Sequence, residues 1–187
     1  MKCVIDNLPG NLSVLERKRA TQLINDHADL FSKSESDLGR THLVTHSIDT
    51  GDHKPIKQQL RRHPMAHLEV IDEHVEKMLE QGLIESMPSS EWASNVVLVR
   101  KSDGTLRFCV DYRKLNDVTR GNFWPLPRID CCLDALGGNK YFSTCDLRAA
   151  YHQVEMASKE DMEKTSFVTR RGVWAFRVLP FGLSGAA

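Results

Sequence analysis

The spacing of apolar residues changes once along this chain, and that change limits the fold more than any other feature. Over residues 65–81, Leu68, Ile71, Val75, Met78 and Leu79 recur every three or four positions, with Glu69, Asp72, Glu73, Glu76 and Glu80 between them. One apolar stripe on a charged cylinder predicts a helix, which Gly82 ends. From residue 95 the period shortens. Asn95–Arg100 and Thr105–Tyr112 are rich in β-branched and aromatic residues and flank Ser102-Asp103-Gly104, so they read as a hairpin around a tight turn. Both periods in successive blocks define an α+β chain rather than an all-helical or all-strand one.

Other segments extend the pattern. Ser13-Val14-Leu15-Glu16 fits a capping box, and Leu15, Leu23, Ile24 and Phe31 follow at helical spacing, so residues 13–31 are read as a helix. Residues 32–52 are polar, contain two glycines and have one alternating piece, 42–48; they read as a tether with at most one strand. Pro125 and Pro127 open a short helix in which Ile129, Cys132, Leu133 and Leu136 share a face, and Gly137-Gly138 closes it. Three further strand regions are expected: 141–147, 151–156 and a 165–179 hairpin turning near Arg171-Gly172.

Composition narrows the class. The cysteines (Cys3, Cys109, Cys131, Cys132, Cys145) are odd in number and include no C-x-x-C pair, which points to a reducing intracellular compartment rather than a disulfide framework. No apolar run reaches the ~18 residues of a membrane span, and the first residues lack a signal-peptide core. No membrane partner is expected. The pairs His42/His46 and His63/His67 have i, i+4 spacing, but the first lies in a strand or loop and the second spans Pro64. With no cysteine pair nearby, neither makes a zinc site.

Lys and Arg (25) balance Asp and Glu (25) overall, yet the charge is unevenly placed. Between Trp92 and Arg128, seven cations (Arg100, Lys101, Arg107, Arg113, Lys114, Arg120, Arg128) face three acids (Asp103, Asp111, Asp117), a net of 7 − 3 = +4. Residues 53–63 add Lys54, Lys57, Arg61 and Arg62 without an acid. Such stretches suit a phosphate backbone, although a solvated face has the same composition. Lys101 and Arg107 flank the hairpin turn; together they can close over a polyphosphate, or simply coat an exposed hairpin. Asp146 ends the apolar run 141–147. A carboxylate on a buried strand requires a partner or a hard cation such as Mg²⁺; the plainer alternative is a cap on the next turn.

Taken in order, these blocks resemble one family. Trp92-Ala93-Ser94, Val96-Val97-Leu98-Val99, Asp103-Gly104 and Arg107-Phe108-Cys109-Val110-Asp111-Tyr112-Arg113-Lys114-Leu115-Asn116 are similar to the fingers of gypsy-type retrotransposon reverse transcriptases. Pro125-Leu126-Pro127-Arg128-Ile129, Leu136-Gly137-Gly138, Tyr141-Phe142-Ser143 and Asp146-Leu147-Arg148 continue the match. Tyr151-His152-Gln153-Val154, Lys164-Thr165 and Pro180-Phe181-Gly182-Leu183 complete it. Residues 40–65 look like the family's entry segment, and residues 12–31 like its connector after the protease.

The resemblance implies a right-hand polymerase: a connector or leader over residues 1–52, then fingers and the first part of the palm over 53–187. It makes Asp146 the first catalytic aspartate and a ligand of two Mg²⁺ ions, with the Leu147 carbonyl on the nucleotide-bound one. The two ions would flank an in-line displacement, about 3.5–4 Å apart. Lys101 and Arg107 would grip the incoming dNTP, Tyr151 would lie beneath its sugar and reject a 2′-hydroxyl, and Phe181 would pack near sugar and base. The implied partners are an RNA or DNA template-primer, dNTPs and the other Pol segments: remaining palm, thumb, RNase H and integrase. The implied location is the cytoplasm, within virus-like particles.

Three departures stand out. Asn95 replaces the family's usual proline, Ala149-Ala150 replaces Ser-Gly, and Ser184-Gly185-Ala186-Ala187 replaces Thr-Asn-Ala-Pro. The family's aromatic-x-Asp-Asp motif would fall beyond Ala187. The expectation is therefore that residues 1–187 alone do not polymerise DNA and that the last strand leaves an unpaired sheet edge. The rival expectation is a non-catalytic nucleic-acid-binding remnant.

Overall fold

A computed structural model describes the chain except for residues 1, 35–36, 122–124, 126, 141, 143 and 187 and the side chains of residues 2 and 3. It divides into two compact units, Met1–Gly39 and Arg40–Ala187.

The first unit holds α1 (Lys2–Asp6), α2 (Val14–Asp26) and a 3-10 turn, Ala28–Leu30. The capping box is present: the Ser13 hydroxyl accepts from the Glu16 N–H, and the Glu16 carboxylate accepts from the Ser13 N–H at 2.8 Å. The helix stops at Asp26, short of the 31 expected, and none of its residues is buried. Arg17 secures the preceding loop by donating to the carbonyls of Leu8 and Pro9.

The second unit begins at Arg40, ahead of the position 53 at which the polymerase region was expected to start. Residues 40–52 belong to this unit because they are pinned inside it. Here β1 (Thr45–His46) pairs in parallel with β5 (Glu155–Met156), and Ile48 is only 2% exposed. Next come α3 (Met65–Glu80), β2 (Ile84–Ser86), β3 (Ser94–Arg100), β4 (Leu106–Asp111), α4 (Arg113–Val118) and α5 (Ile129–Leu136). After β5 follow α6 (Lys159–Lys164), β6 (Phe167–Thr169) and β7 (Gly172–Phe176). The main sheet has the order β2-β7-β6-β3-β4, with β3 and β6 parallel and the other neighbours antiparallel.

Helix α3 packs its stripe on this sheet, burying Ile71 and Val75, and Gly82 at φ +65° turns the chain into β2. A ring series continues inward: His74 stacks on Phe108 at 5.7 Å, and Phe108 meets Phe167 edge-on at 5.6 Å. The hairpin forms as expected, with Gly104 at φ +83° in its turn. A second core joins Ile48, Trp92, Tyr112, Leu115, Met156, Leu179 and Leu183.

Two strand expectations are corrected. Residues 142 and 144–147 form no strand, while 141 and 143 lie outside the described residues. An apolar run needs a ladder partner to become a strand, and none pairs with it among the described residues. Residues 150–153 form a 3-10 turn, leaving only Glu155–Met156 of the expected 151–156 strand. The expected free edge is also absent at the last strand. β7 lies inside the sheet because β2, a short strand with little periodicity of its own, returns to pair with it.

Candidate functional site

The site is assembled where the β3–β4 hairpin, the 150–153 turn and the segment after β7 meet. Residues 154–156 run beside 177–179: the Leu179 N–H donates to the Val154 carbonyl at 2.9 Å and the Met156 N–H to the Arg177 carbonyl at 3.0 Å. This pairing sets Tyr151 and His152 against Phe181. Asn116 on α4 fixes the other side, donating to the Gly182 carbonyl at 2.8 Å and accepting from the Ser184 N–H at 3.0 Å. Gly182 adopts φ +98°, and a Cβ there would lie 3.6 Å from the Tyr112 ring.

The Phe181 ring is the hub. Tyr151 meets it edge-on at 5.0 Å, His152 at 5.3 Å, and the Arg107 guanidinium lies 5.4 Å from its centre. Guanidinium over a ring face is an attractive arrangement that also restricts where the cation points. Arg107, Lys101 and Phe181 line one cavity of about 500 Å³, with His74, Met78 and His152 among its other walls. No Asp or Glu lines it among the described residues, so its field is cationic. The His74 Nδ1–H donates to the Val70 carbonyl at 2.8 Å, which fixes the ring on its helix. Burial, reinforced by Arg40, lowers the His152 pKa, so that imidazole is neutral near pH 7.

Four of the singled-out residues thus converge: Lys101 and Arg107 at the cavity, and Tyr151 and Phe181 in one aromatic contact. Asp146 and Leu147 do not line it. They sit on the irregular 144–147 segment, where Asp146 is exposed and Leu147 is 67% exposed. The burial argument for a partnered carboxylate therefore fails at Asp146. Among the described residues no three His, Cys, Asp or Glu side chains gather as a metal cage. The plain sequence reading missed the roles of Asn116 and His152. Each lies inside a quoted block, yet nothing in the spacing distinguishes a clamp from a solvated polar residue.

Hairpin, aromatic hub and cationic cavity sit together on an α+β fold of the polymerase-fragment class. Residues 99–187 match the family described as reverse transcriptase (RNA-dependent DNA polymerase). The chain belongs to that family, and within it to the gypsy-type retrotransposon reverse transcriptases. It is 34% identical over 170 residues to the retrovirus-related Pol polyprotein from transposon 297 of Drosophila melanogaster, covering 88% of this chain and 16% of that protein. To the Pol polyprotein from transposon gypsy of the same fly it is 31% identical over 180 residues, 94% of this chain and 16% of that protein. The chain therefore spans about a sixth of the length of these curated relatives. The fold matches the foamy viral protease-reverse transcriptase in complex with RNA/DNA hybrid, with a TM-score of 0.83 at 23% identity, over 99% of this chain and 24% of that one. No helix is long and apolar enough to cross a membrane among the described residues.

Proposed function

We propose that this chain is the nucleotide-gripping part, fingers and first palm, of an RNA-directed DNA polymerase that transfers nucleotides from dNTPs to a primer 3′-hydroxyl. The observation that carries the reading is that Lys101, Arg107 and Phe181 line one cavity with no carboxylate among the described residues, and that Tyr151 braces the Phe181 ring. Lys101 would neutralise the triphosphate as a point charge, and Arg107 would hold it with a bidentate fork. Tyr151, braced against Phe181, would close the space beneath the sugar and so disfavour a ribonucleotide. Lys54 and Arg62, both exposed, would meet a template or primer backbone. The remaining Pol segments would be its working partners, and virus-like particles in the cytoplasm its setting.

Asp146 and the Leu147 carbonyl would hold Mg²⁺. Oxygen donors fit that cation in kind, and one carboxylate suffices for a nucleotide-borne ion whose shell is completed by phosphates and water. A cage for two ions needs further carboxylates, and no group of three or more ligating side chains gathers among the described residues. When bound, the ion would stabilise charge on the triphosphate.

The test is equilibrium binding of labelled dTTP to residues 1–187 in Mg²⁺. R107A should weaken binding about tenfold or more, the loss of a charge-assisted hydrogen bond. Y151A should narrow the preference for dTTP over its ribonucleotide counterpart. Undiminished binding by R107A would sink the reading. Salt-sensitive nucleic-acid binding with no dNTP affinity would favour a binding remnant instead.

A further inference from the structure

His152 lines the same cavity as Arg107 and touches the same ring, yet takes no part in the grip described above. Its backbone is fixed from two directions. The His152 N–H donates to the Ala149 carbonyl at 2.8 Å, and its own carbonyl accepts from the Arg40 guanidinium at 3.0 Å. Next to it, the Thr41 N–H donates to the Gln153 carbonyl at 2.7 Å. The imidazole is half-buried, and its plane makes 67° with Phe181 while Tyr151 makes 85° with the same ring. Phe181 therefore has two edge-on aromatic neighbours, and the Arg107 guanidinium lies over the same ring.

We propose that His152 is a positioning residue: its ring holds Phe181 in the orientation that keeps Arg107 aimed into the cavity. The inference rests on reading Arg107 as the triphosphate-gripping residue. It adds a proton-dependent element to that grip. The charged and titratable groups facing His152 are Arg40 from the 40–41 strap, Arg107 and Lys101 from the hairpin, and His74 from α3. None is an acid, so a proton on His152 would meet three cations and a second imidazole, with no carboxylate among them. It would set a second cation against Phe181 and repel Arg107. The group's pKa is lowered chiefly by burial, and the Arg40 charge adds to that in the same direction. The grip should therefore be intact at neutral pH and loosen only as the medium turns acid.

Two readouts test this on residues 1–187. One is the upfield displacement of the Arg107 side-chain protons by the Phe181 ring, followed by NMR without nucleotide. The other is dTTP affinity. H152A should remove the displacement and weaken dTTP binding about threefold, as expected for loss of a partly exposed cation–π contact. H152F should restore both. In the wild-type chain the displacement should fade as His152 titrates in acid, and in H152F it should not; this comparison stands even if H152A folds poorly. A displacement unchanged in H152A, or in wild-type protein across the His152 titration, overturns the inference. So does its loss with dTTP affinity intact. If the wild-type chain binds no dTTP while the displacement still follows His152, the nucleotide reading fails and the positioning role stands.

Discussion

Ala149 adopts φ 45° and ψ 52°, the one non-glycine residue in the left-handed region among the described residues. That conformation crowds a Cβ against its own carbonyl. Ala149→Gly should stabilise the chain by about 0.5–1 kcal/mol in urea unfolding, the relief of strain exceeding the entropy that glycine adds to the unfolded chain. Asp111 makes a second residue-scale case. The Arg113 fork grips it with bonds of 2.8 and 2.7 Å, and its pKa is lowered to about 2 from 3.8, chiefly by the Arg113 side-chain hydrogen bonds. A lowered folded-state pKa makes this contribution complete above about pH 4 and lost as pH falls through about 2. The stability difference between wild type and Asp111→Asn should shrink across that window. Asn95 shows what a sequence comparison conceals. Its side chain accepts from the Arg61 N–H at 3.1 Å and donates to Gln58 at 3.2 Å, binding residues 58–61 to β3, a bond no proline could make.

Among the elements, the least visible in the sequence hold the molecule together. Asp161 and Lys164 on α6 clasp Ile48: the carboxylate accepts from the Ile48 N–H at 2.8 Å, and the ammonium donates to the Ile48 carbonyl at 2.7 Å. The two side chains are 11% and 10% exposed and lie 3.7 Å apart. Lys164→Met should cost about 3 kcal/mol, because it takes the countercharge from a buried carboxylate that keeps its Ile48 and Ser158 hydrogen bonds, and calorimetry should show the loss. Long periodic elements such as α3 and the β3–β4 hairpin were legible because their own residues state which face is buried. The strand expected over 141–147 fails at its described residues because an apolar run carries no information about a ladder partner. Helix α5 was placed correctly, yet its face of Ile129, Leu133 and Leu136 is 76%, 61% and 49% exposed. Periodicity gives a helix its face, not what covers it. At the site, Arg107, Tyr151 and Phe181 were singled out through ordered blocks, whereas the contacts of His152 and Asn116 required coordinates.

At the scale of the whole molecule, the second unit contains the main sheet, the second core and the cavity. Residues 40–187 made alone should therefore keep the main cooperative unfolding transition of the full chain, and mild proteolysis should cut near residue 39 and leave that piece intact. A fragment that unfolds without a transition would show that the first unit is required. The clasp on Ile48 also sets a clock. Lys164 follows Ile48 by 116 residues, so during synthesis at about 5–20 residues per second the 40–50 strap waits roughly 6–23 s for the residues that will hold it. Throughout that interval Ile48, within a mostly polar strap, lacks the seat that will bury it, so a chaperone that shields nascent chains should raise the soluble yield of this protein more than one that acts on finished chains.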